Sequence, residues 1–368
     1  METAGLGVAL VAAVEPDAAR AAETAAKYEI PVFGTVDALL AADLKLNAAT
    51  VAVPTVHHHA VASVLLDAGL DLLVEKPLAA TLAEADDLLA RAEDGKRILQ
   101  PGHLERFNPA VLAVESQLHR PMFFESHRLS VFTPRSLDVD VVLDLMIHDL
   151  DIVLTFAHSP VREVRAVGLP ILSHKVDIAN VRVEFDSGCV ANFTASRVST
   201  ERVRKLRFFE PRQYISIDYA RQDLLAIRID PDSAGSSADR SKLLASLPPH
   251  IAALIPPQIA ADLVAGKIDP AVIAKFAAAA GIDPGLAAQF AAPTGPAPGL
   301  SFVKPAVTPG EPLRLEILSF LDAVRTRRAP RVTARQGRNA LELALQIQAT
   351  MVAHADRAGL GDFFNPGA

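Results

Sequence analysis

The first hundred residues alternate between apolar runs and helix-like segments, and this alternation restricts the possible folds more than any other feature. Apolar runs rich in Val, Leu and Ala occur at 7–14, 48–54 and 70–75, and a helix-like segment follows each. Runs of this kind are typical of strands buried on both faces of a sheet. Strands that alternate with helices indicate a parallel sheet joined by right-handed crossovers.

After about Asn108 the pattern changes. One further helix is predicted at about 140–156, and short strand-like segments follow, separated by turn signals such as the Asp-Ser-Gly at 186–188. Several of these segments alternate apolar and polar residues, which is typical of strands joined by hairpins. We therefore expect a second, mostly antiparallel sheet, followed by two amphipathic helices near 313–325 and 334–355.

The predicted fold is α/β. An N-terminally truncated, Rossmann-type parallel sheet domain occupies 1–108, and an α+β domain with a mostly antiparallel open sheet occupies 109–368. The stretch 231–305 within the second domain is rich in Ala, Pro, Gly and Ser. It contains IDPAVIAKFA and, 14 residues later, IDPGLAAQFA; Asp before Pro in each copy predicts two short helices. This stretch is either a surface insertion without chemistry or a lid or oligomer contact.

Charge and composition exclude several classes of partner. The 368 residues are half hydrophobic and carry a net charge of −7, so a large core is available, but not the positive field that binds nucleic acid. The single cysteine, Cys189, cannot form an internal disulfide and indicates a reducing, cytoplasmic location. No apolar run approaches the roughly 18 residues that span a bilayer, so no membrane partner is expected.

Candidate site residues follow two of the predicted strands. In an open parallel sheet, ligands bind beyond the carboxyl ends of the strands. Glu15 ends the first strand, where a carboxylate can accept hydrogen bonds from an adenosine ribose; this favours NAD over NADP, because a 2′-phosphate would be repelled. An ordinary loop acid is the alternative. Lys76 ends the third strand, where a partly dry lysine can have a lowered pKa and can donate to a substrate oxygen.

The strongest local signal is the segment DLMIHDLD at 144–151. Asp144 and His148 are four residues apart and share one face of a regular helix with Asp151. A histidine beside a carboxylate is a good general base near neutral pH. An exposed pair without chemistry and a metal site built from these three side chains are the alternatives.

Other polar groups give weaker signals. The consecutive histidines at 57–59 point about 100° apart at a helix start, so they cannot converge on one metal ion, and no metal is expected there. A helix N-terminus beside a cofactor is the better use of that segment. Arg128 and Arg135 carry guanidinium groups that suit a diphosphate, although a surface role explains them equally well.

These motifs together resemble the Gfo/Idh/MocA family of NAD(P)-dependent oxidoreductases, which act mostly on sugars and cyclitols. The similarity includes VAVPTVHHHAVASVLLDAGLDLLVEKPLAATLAEADDLL, then QPGHLERFNPAV, LDLMIHDLDIVL and DIANVRVEFDSGCVANFTASR. The segments GHLERFNPAV and FTPRSLDVDVVLDLMIHDLD are most similar to the branch of UDP-N-acetylglucosamine 3-dehydrogenases.

The resemblance implies roles for particular residues. Lys76 corresponds to the family lysine beside the nicotinamide and the substrate hydroxyl, and the Pro77 after it commonly follows a cis bond. Asp144 and His148 correspond to the family's Asp and His, with His148 as proton acceptor. The positions that match cofactor contacts or the adjoining segment are Pro54, Thr55, His58, Glu75, Arg106 and Asn108.

One feature departs from the family pattern. The family begins with a strand and a G-x-G-x-x-G loop that receives the pyrophosphate, and its ribose-binding acid lies about 20 residues further on. Only 14 residues precede Glu15. We therefore expect the natural reading frame to begin earlier, and the 368-residue sequence to bind NAD weakly or not at all and to aggregate.

The predicted activity is oxidation of a secondary hydroxyl on a sugar, most specifically a nucleotide-activated amino sugar, with NAD accepting the hydride. The resemblance also implies a homodimer or homotetramer. Two alternatives remain at this point. One is a metal-dependent hydrolase that uses Asp144 and His148; the other is a relative without cofactor that only binds a sugar or a partner chain.

Overall fold

The structure is a computed structural model that describes residues 7–133, 139–229, 244–245, 255–264, 268, 272 and 300–360. In this part of the chain, no helix is both long enough and apolar enough to cross a membrane.

The N-terminal part contains a parallel sheet in two pieces, flanked by helices. Its strands are β1 (Ala13–Val14), β2 (Val32–Phe33), β3 (Ala48–Val51), β4 (Asp71–Glu75) and β5 (Leu99–Gly102). Its helices are α1 (Ala18–Tyr28), α2 (Val36–Ala41), α3 (His58–Asp67) and α4 (Leu82–Asp94). β1 pairs with β2, while β4 lies between β3 and β5, and all these pairs are parallel. The predicted parallel α/β arrangement is confirmed.

The prediction of a doubly buried strand at 7–14 is wrong for most of its length. Only Ala13–Val14 form a strand, and the side chains of Leu10 and Val11 are exposed. Among the described residues, β1 pairs with β2 alone, so no strand covers its other edge. An apolar run is buried only where neighbouring elements lie on both of its sides.

Two helix caps set the ends of the segment that carries β4 and Lys76. Helix α3 is followed by Gly69 at φ +83°, in the region that favours glycine. Helix α4 begins with the predicted capping box: the Thr81 hydroxyl accepts from the N–H of Glu84, and the Glu84 carboxylate accepts from the N–H of Thr81. The backbone between these caps is therefore fixed at both ends.

The second sheet has eight strands in the order β13-β12-β11-β10-β6-β9-β8-β7. The strands are β6 (Phe123–Leu129), β7 (Val161–Leu169), β8 (Ile178–Phe185), β9 (Val190–Ser196), β10 (Val203–Glu210), β11 (Gln213–Asp218), β12 (Asp223–Ile229) and β13 (Leu300–Val303). The pair β6–β9 is parallel and every other pair is antiparallel. The predicted mostly antiparallel sheet is confirmed.

Helices α5 (Pro109–Glu115), α6 (Ile147–Ala157) and α9 (Ala334–Arg357) pack against this sheet. Helix α7 (Pro257–Val264) is also described, and α8 (Pro312–Thr326) packs against β4 of the first sheet. In the larger core, Phe124 and Phe208 of the sheet pack with Leu150 of α6 and Ile347 of α9. Leu341 of α9 lies in the core of the first sheet. Helix α9 thus contributes to both cores.

Most of the predicted insertion at 231–305 lies outside the described residues, including the two short helices expected in its repeated segment. Helix α7 is described, and β13 pairs with β12 at the edge of the large sheet. The last part of this stretch therefore belongs to the sheet. The division of the chain at residue 108 stays a prediction.

Candidate active site

Lys76 lies at the carboxyl end of the parallel sheet and reaches across to the second half of the chain. It follows Glu75, the last residue of β4, and the bond between Lys76 and Pro77 is cis, as the resemblance implied. Its Nζ donates to the backbone oxygen of Asp144 at 2.8 Å and lies 3.7 Å from Oδ1 of the same residue. The structure thus brings together Lys76 and Asp144, two of the predicted catalytic residues.

The surroundings of Lys76 favour proton transfer. Only 19% of its side chain is exposed. Burial lowers its pKa, and the carboxylates of Asp144 and Glu75 partly oppose that effect. A lysine with a lowered pKa can donate a proton to a substrate oxygen and recover it more readily than an exposed lysine can.

The segment that carries Asp144 is not a regular α-helix. Val142–Met146 form a π-helical turn, and α6 begins at Ile147. A π-helical turn contains more residues than an α-helical turn, so the regular four-residue spacing does not apply between Asp144 and His148. No hydrogen bond joins these two side chains in the described structure, and the Asp144 carboxylate lies beside Lys76 instead. The predicted aspartate–histidine pair is therefore not formed.

His148 is an uncharged imidazole surrounded by positive groups. Its buried Nδ1 has no hydrogen-bond partner. Burial lowers its pKa well below the ordinary value, and the charges of Lys76, Arg128 and Arg204 lower it further. The ring is therefore neutral near pH 7, and a neutral ring has one nitrogen that can accept a proton.

Arg128 is placed differently from the prediction. Its guanidinium is buried and donates to the two carboxylate oxygens of Asp149 at 2.7 and 3.1 Å, and to Glu105 at 3.1 Å. Burial opposes the charge of Arg128, but the two carboxylates outweigh it and raise its pKa. All three guanidinium nitrogens of Arg128 donate to carboxylates within the protein, so the structure does not support the predicted diphosphate role for Arg128. The other predicted partner, Arg135, lies outside the described residues.

Arg106, Asn108 and Asp151 also lie in the interior. Arg106 pairs with Asp151 at 3.4 Å and donates to the hydroxyl of Thr155. Asn108 caps α5 by accepting from the N–H of Ala110 at 3.1 Å. All three predicted site residues are at most 4% exposed. Their contacts are structural, so neither direct cofactor binding by Arg106 and Asn108 nor substrate binding by Asp151 is supported.

Three of the predicted cofactor residues lie at the sheet edge and are at least partly exposed. Glu15 follows β1 with its side chain 25% exposed, and its Oε1 accepts from the N–H of Asp17 at 2.9 Å and from Arg20 at 3.1 Å. Pro54 is exposed and Thr55 is partly buried, at the start of a short 3₁₀ turn. These groups line the carboxyl edge and are accessible to a ligand.

Glu75 is held by close packing. Its backbone is so near Gly102 of β5 that a Cβ at residue 102 would lie 3.1 Å from the Glu75 Cα and 3.1 Å from its Oε2. A glycine at 102 therefore allows the ends of β4 and β5 to approach closely. This packing sets the position of the Lys76 backbone.

His58 is enclosed rather than exposed. Its side chain is 1% exposed, and its two ring nitrogens lie 2.8 Å from the carbonyl oxygens of Pro77 and Val53. Both nitrogens lie against backbone carbonyls inside the protein, so direct cofactor contact by His58 is not supported. The ring instead ties the end of the second predicted strand to the turn that carries Lys76.

Sequence reasoning missed three polar residues near the site. His103 is buried without a hydrogen-bond partner for either ring nitrogen; burial lowers its pKa, and Asp151 opposes that effect. Glu316 of α8 is buried beside Glu75, and Arg204 lies on β10 near His148. The polar residues of GHLERF in an otherwise apolar stretch could have indicated His103. The partners of Glu316 and Arg204 are distant in sequence, so no local signal identified them.

The edge residues suit part of a dinucleotide. Glu15 can accept from a ribose hydroxyl, and Lys76 and Glu75 lie at the carboxyl edge, where the family resemblance places the nicotinamide. The described residues contain no G-x-G-x-x-G loop for the pyrophosphate. The fit therefore covers the ribose and nicotinamide ends of the cofactor. No group of three or more His, Cys, Asp or Glu side chains within the described ranges is placed to hold a metal ion.

A parallel sheet with Lys76 at its carboxyl edge, near a neutral histidine, together with a second, mostly antiparallel sheet, matches the α/β architecture of an oxidoreductase family. Two family descriptions match the chain: "Oxidoreductase family, NAD-binding Rossmann fold" at residues 2–103 and "GFO/IDH/MocA C-terminal domain" at residues 110–212. The chain belongs to the Gfo/Idh/MocA family.

Known relatives are dehydrogenases acting on CH–OH groups. UDP-N-acetylglucosamine 3-dehydrogenase from Acidithiobacillus ferrooxidans is 39% identical over 216 residues, which cover 58% of this chain and 68% of the relative. Inositol 2-dehydrogenase from Leifsonia xyli is 32% identical over 165 residues, 43% of this chain and 48% of the relative. This chain thus spans about half the length of the second relative.

A solved structure of the Acidithiobacillus ferrooxidans UDP-N-acetylglucosamine 3-dehydrogenase has a similar fold. It matches with a TM-score of 0.72 and 30% sequence identity, covering 92% of this chain and 89% of the other. The similarity extends through both sheets, which agrees with the two family matches.

Proposed function

We propose that this protein transfers a hydride between a secondary hydroxyl of a nucleotide-activated amino sugar and NAD. The observation that carries the proposal is the position of Lys76, which extends from the parallel sheet to Asp144 beside the neutral imidazole of His148. The similarity to a UDP-N-acetylglucosamine 3-dehydrogenase supports the choice of sugar.

His148 accepts the substrate proton, and Lys76 orients the substrate oxygen. Oxidation of a hydroxyl releases a hydride and a proton, and bound NAD would accept the hydride. His148 is neutral and can take the proton from the substrate hydroxyl. Lys76 donates to the backbone oxygens of Asp144 at 2.8 Å and Leu143 at 3.4 Å, and its remaining donor can orient the substrate oxygen.

The positive groups near the site affect both the His148 ring and the substrate oxygen. They lower the pKa of the ring, so a proton that arrives there is not retained tightly. The Lys76 ammonium also stabilises an alkoxide that develops on the substrate oxygen. No observation favours the metal-dependent hydrolase, because an ammonium group, that of Lys76, lies 3.7 Å from the Asp144 carboxylate that would have to bind the metal.

Substitution of the two proton-handling residues tests the reaction. With an intact cofactor site, His148→Ala and Lys76→Ala should each lower kcat by roughly 100-fold or more, the usual contribution of general acid–base catalysis. NADH binding, followed by fluorescence titration, should persist in both variants. His119→Ala and Lys45→Ala remove an exposed histidine and an exposed lysine and serve as matched controls. Unchanged turnover in the first two variants would overturn the assignment.

Cofactor choice tests the role of Glu15. Its carboxylate should repel the 2′-phosphate of NADP, so kcat/KM should be higher with NAD. Glu15→Gln should reduce that preference by weakening discrimination against NADP. Steady-state kinetics with both cofactors would measure the ratio. A wild-type preference for NADP would remove Glu15 from the ribose site.

A further inference from the structure

The cations around the candidate site differ in whether a carboxylate neutralises them. Arg128 pairs with Asp149 and Glu105, and Arg106 pairs with Asp151. Lys76 lies beside the Asp144 carboxylate. These three positive charges therefore have negative partners within the protein, and the guanidinium groups of Arg106 and Arg128 are too buried to meet an anionic ligand.

Among the described cations around the site, Arg204 is the exception. It is exposed, and the described structure gives its guanidinium neither an ion pair nor a hydrogen bond. Its charge is nevertheless close enough to lower the pKa of His148. An unbalanced cation therefore lies beside the proposed proton acceptor.

Strand pairing fixes the place of Arg204. β10 pairs with β6 so that Arg204 lies directly opposite Arg128. Opposite residues of an antiparallel pair have Cβ atoms about 5 Å apart and project from the same face. This is the face on which Leu206 is buried against the helices. The neighbouring Lys205 projects from the other face.

The backbone of Arg204 is also anchored. Its carbonyl oxygen accepts from the N–H of Tyr219 at 3.0 Å, and the ring of Tyr219 lies 4.9 Å from the guanidinium carbon of Arg128. The base of the Arg204 side chain is thus fixed to the buried ion cluster, while its charged end is free to meet a ligand.

We propose that Arg204 binds a phosphate of the diphosphate in a nucleoside-diphosphate sugar and so orients the sugar hydroxyl toward His148. The proposal rests on the function proposed above and deepens it by naming the residue that recognises the activating group. Guanidinium groups bind phosphate with paired, charge-assisted hydrogen bonds. The sequence suggested Arg128 for this task, but its fork is occupied by Asp149 and Glu105.

Binding of UDP, measured by calorimetry without NAD, tests the assignment separately from catalysis. Arg204→Gln should weaken UDP binding roughly 10- to 100-fold, the effect of losing hydrogen bonds between charged groups. Binding of uridine, which has no phosphate, should not change. Lys205→Gln is the matched control, because it removes the same charge from the next residue, on the opposite face of β10.

Kinetics complete the test. With a UDP-sugar, Arg204→Gln should raise KM more than it lowers kcat, because the lost hydrogen bonds are to the phosphate and not to the reacting hydroxyl. Equal losses of UDP affinity in Arg204→Gln and Lys205→Gln would overturn the proposal. Oxidation of uncharged sugars without UDP binding would also overturn it, while the dehydrogenase function would stand. UDP binding that depends on Arg204 without any hydride transfer would support the binding role and refute the proposed reaction.

Discussion

Charged side chains are paired and buried to different extents beside the two sheets of this protein. At the edge of the parallel sheet, the Lys76 ammonium lies 3.7 Å from the Asp144 carboxylate in a contact that stays partly exposed. Beside β6 of the large sheet, Arg128 is buried with two carboxylates and all of these groups are hydrogen-bonded. The first arrangement leaves donors free for a ligand, and the second uses them for the fold. Site chemistry is therefore found where charge is incompletely paired, and buried charge elsewhere serves stability.

The same contrast appears in strand pairing. The large sheet is continuous over eight strands, whereas the described parallel strands form a pair and a separate group of three. Helix α9 links the two regions, since Leu341 lies in the smaller core and Ile347 in the larger one. A change in the buried ion cluster should therefore affect global stability, while a change at the parallel edge should act locally.

The largest effect should come from breaking the buried cluster. Asp149→Asn replaces one carboxylate oxygen with an N–H₂ group that faces the Arg128 guanidinium, which is held by that carboxylate at 2.7 and 3.1 Å. Removing one partner of a buried pair typically costs about 3–5 kcal/mol in the free energy of unfolding. Urea denaturation should show this loss as a lower midpoint.

A double variant tests whether the loss of stability comes from leaving the Arg128 charge unpaired. Arg128→Met with Asp149→Leu removes both charges, so it should be less destabilising than Asp149→Asn alone. Asp322→Asn, at an exposed position of α8, controls for the loss of a carboxylate. A free energy of unfolding within about 1 kcal/mol of wild type for Asp149→Asn would contradict the view that this cluster supports the fold.

The sequence predicted features that depend on local patterns. The alternation of apolar and polar residues identified most antiparallel strands, and Thr81 with Glu84 identified the start of α4. The Glu-Lys-Pro segment led to Lys76, whose contact with Asp144 crosses 68 positions of the chain. The roles of these residues stay predictions until they are tested.

What could not be predicted depends on partners distant along the chain. The Arg128 guanidinium could serve a ligand or the interior, and only the positions of Asp149 and Glu105 decide this. The π-helical turn at Val142–Met146 shifts the spacing on which the predicted Asp144–His148 pair depended. Likewise, the apolar run at 7–14 contains no information about which elements cover it.

A second prediction concerns Glu316, which lies where α8 packs against the parallel sheet. Burial, together with the nearby Glu75, raises the pKa of Glu316 to about 8, from 4.5 for an unperturbed glutamate. Between these two values the folded carboxyl keeps a proton that the unfolded chain has released. Stability should therefore fall as pH rises from about 4.5 to about 8, by a few kcal/mol.

Glu316→Gln tests this pH dependence because the amide resembles the protonated acid. The variant should match wild type near pH 4.5 and be more stable at pH 8.5, as measured by urea midpoints across that range. Asp322→Asn on the same helix is exposed and should leave the pH dependence unchanged. Parallel stability curves for wild type and Glu316→Gln would show that the buried carboxyl is not linked to folding.

The smallest effect should come from His58, which tests whether the parallel edge is held by hydrogen bonds rather than by ion pairs. Its ring nitrogens lie 2.8 Å from the carbonyl oxygens of Pro77 and Val53. A carbonyl oxygen only accepts, so both contacts are hydrogen bonds only when both nitrogens carry a proton. The side-chain amide introduced by His58→Gln has a single donor nitrogen and cannot serve both carbonyls.

The expected loss in the free energy of unfolding is about 1–1.5 kcal/mol, that of one hydrogen bond. Because Pro77 follows Lys76, kcat should also fall a few-fold while UDP binding is retained. His57→Gln is the matched control, since the preceding histidine is exposed and has no hydrogen bond from its side chain in the described structure. If the two variants have the same stability and kcat, the turn that carries Lys76 is held by packing and Gly102 alone, and the parallel edge depends on His58 for neither its structure nor its chemistry.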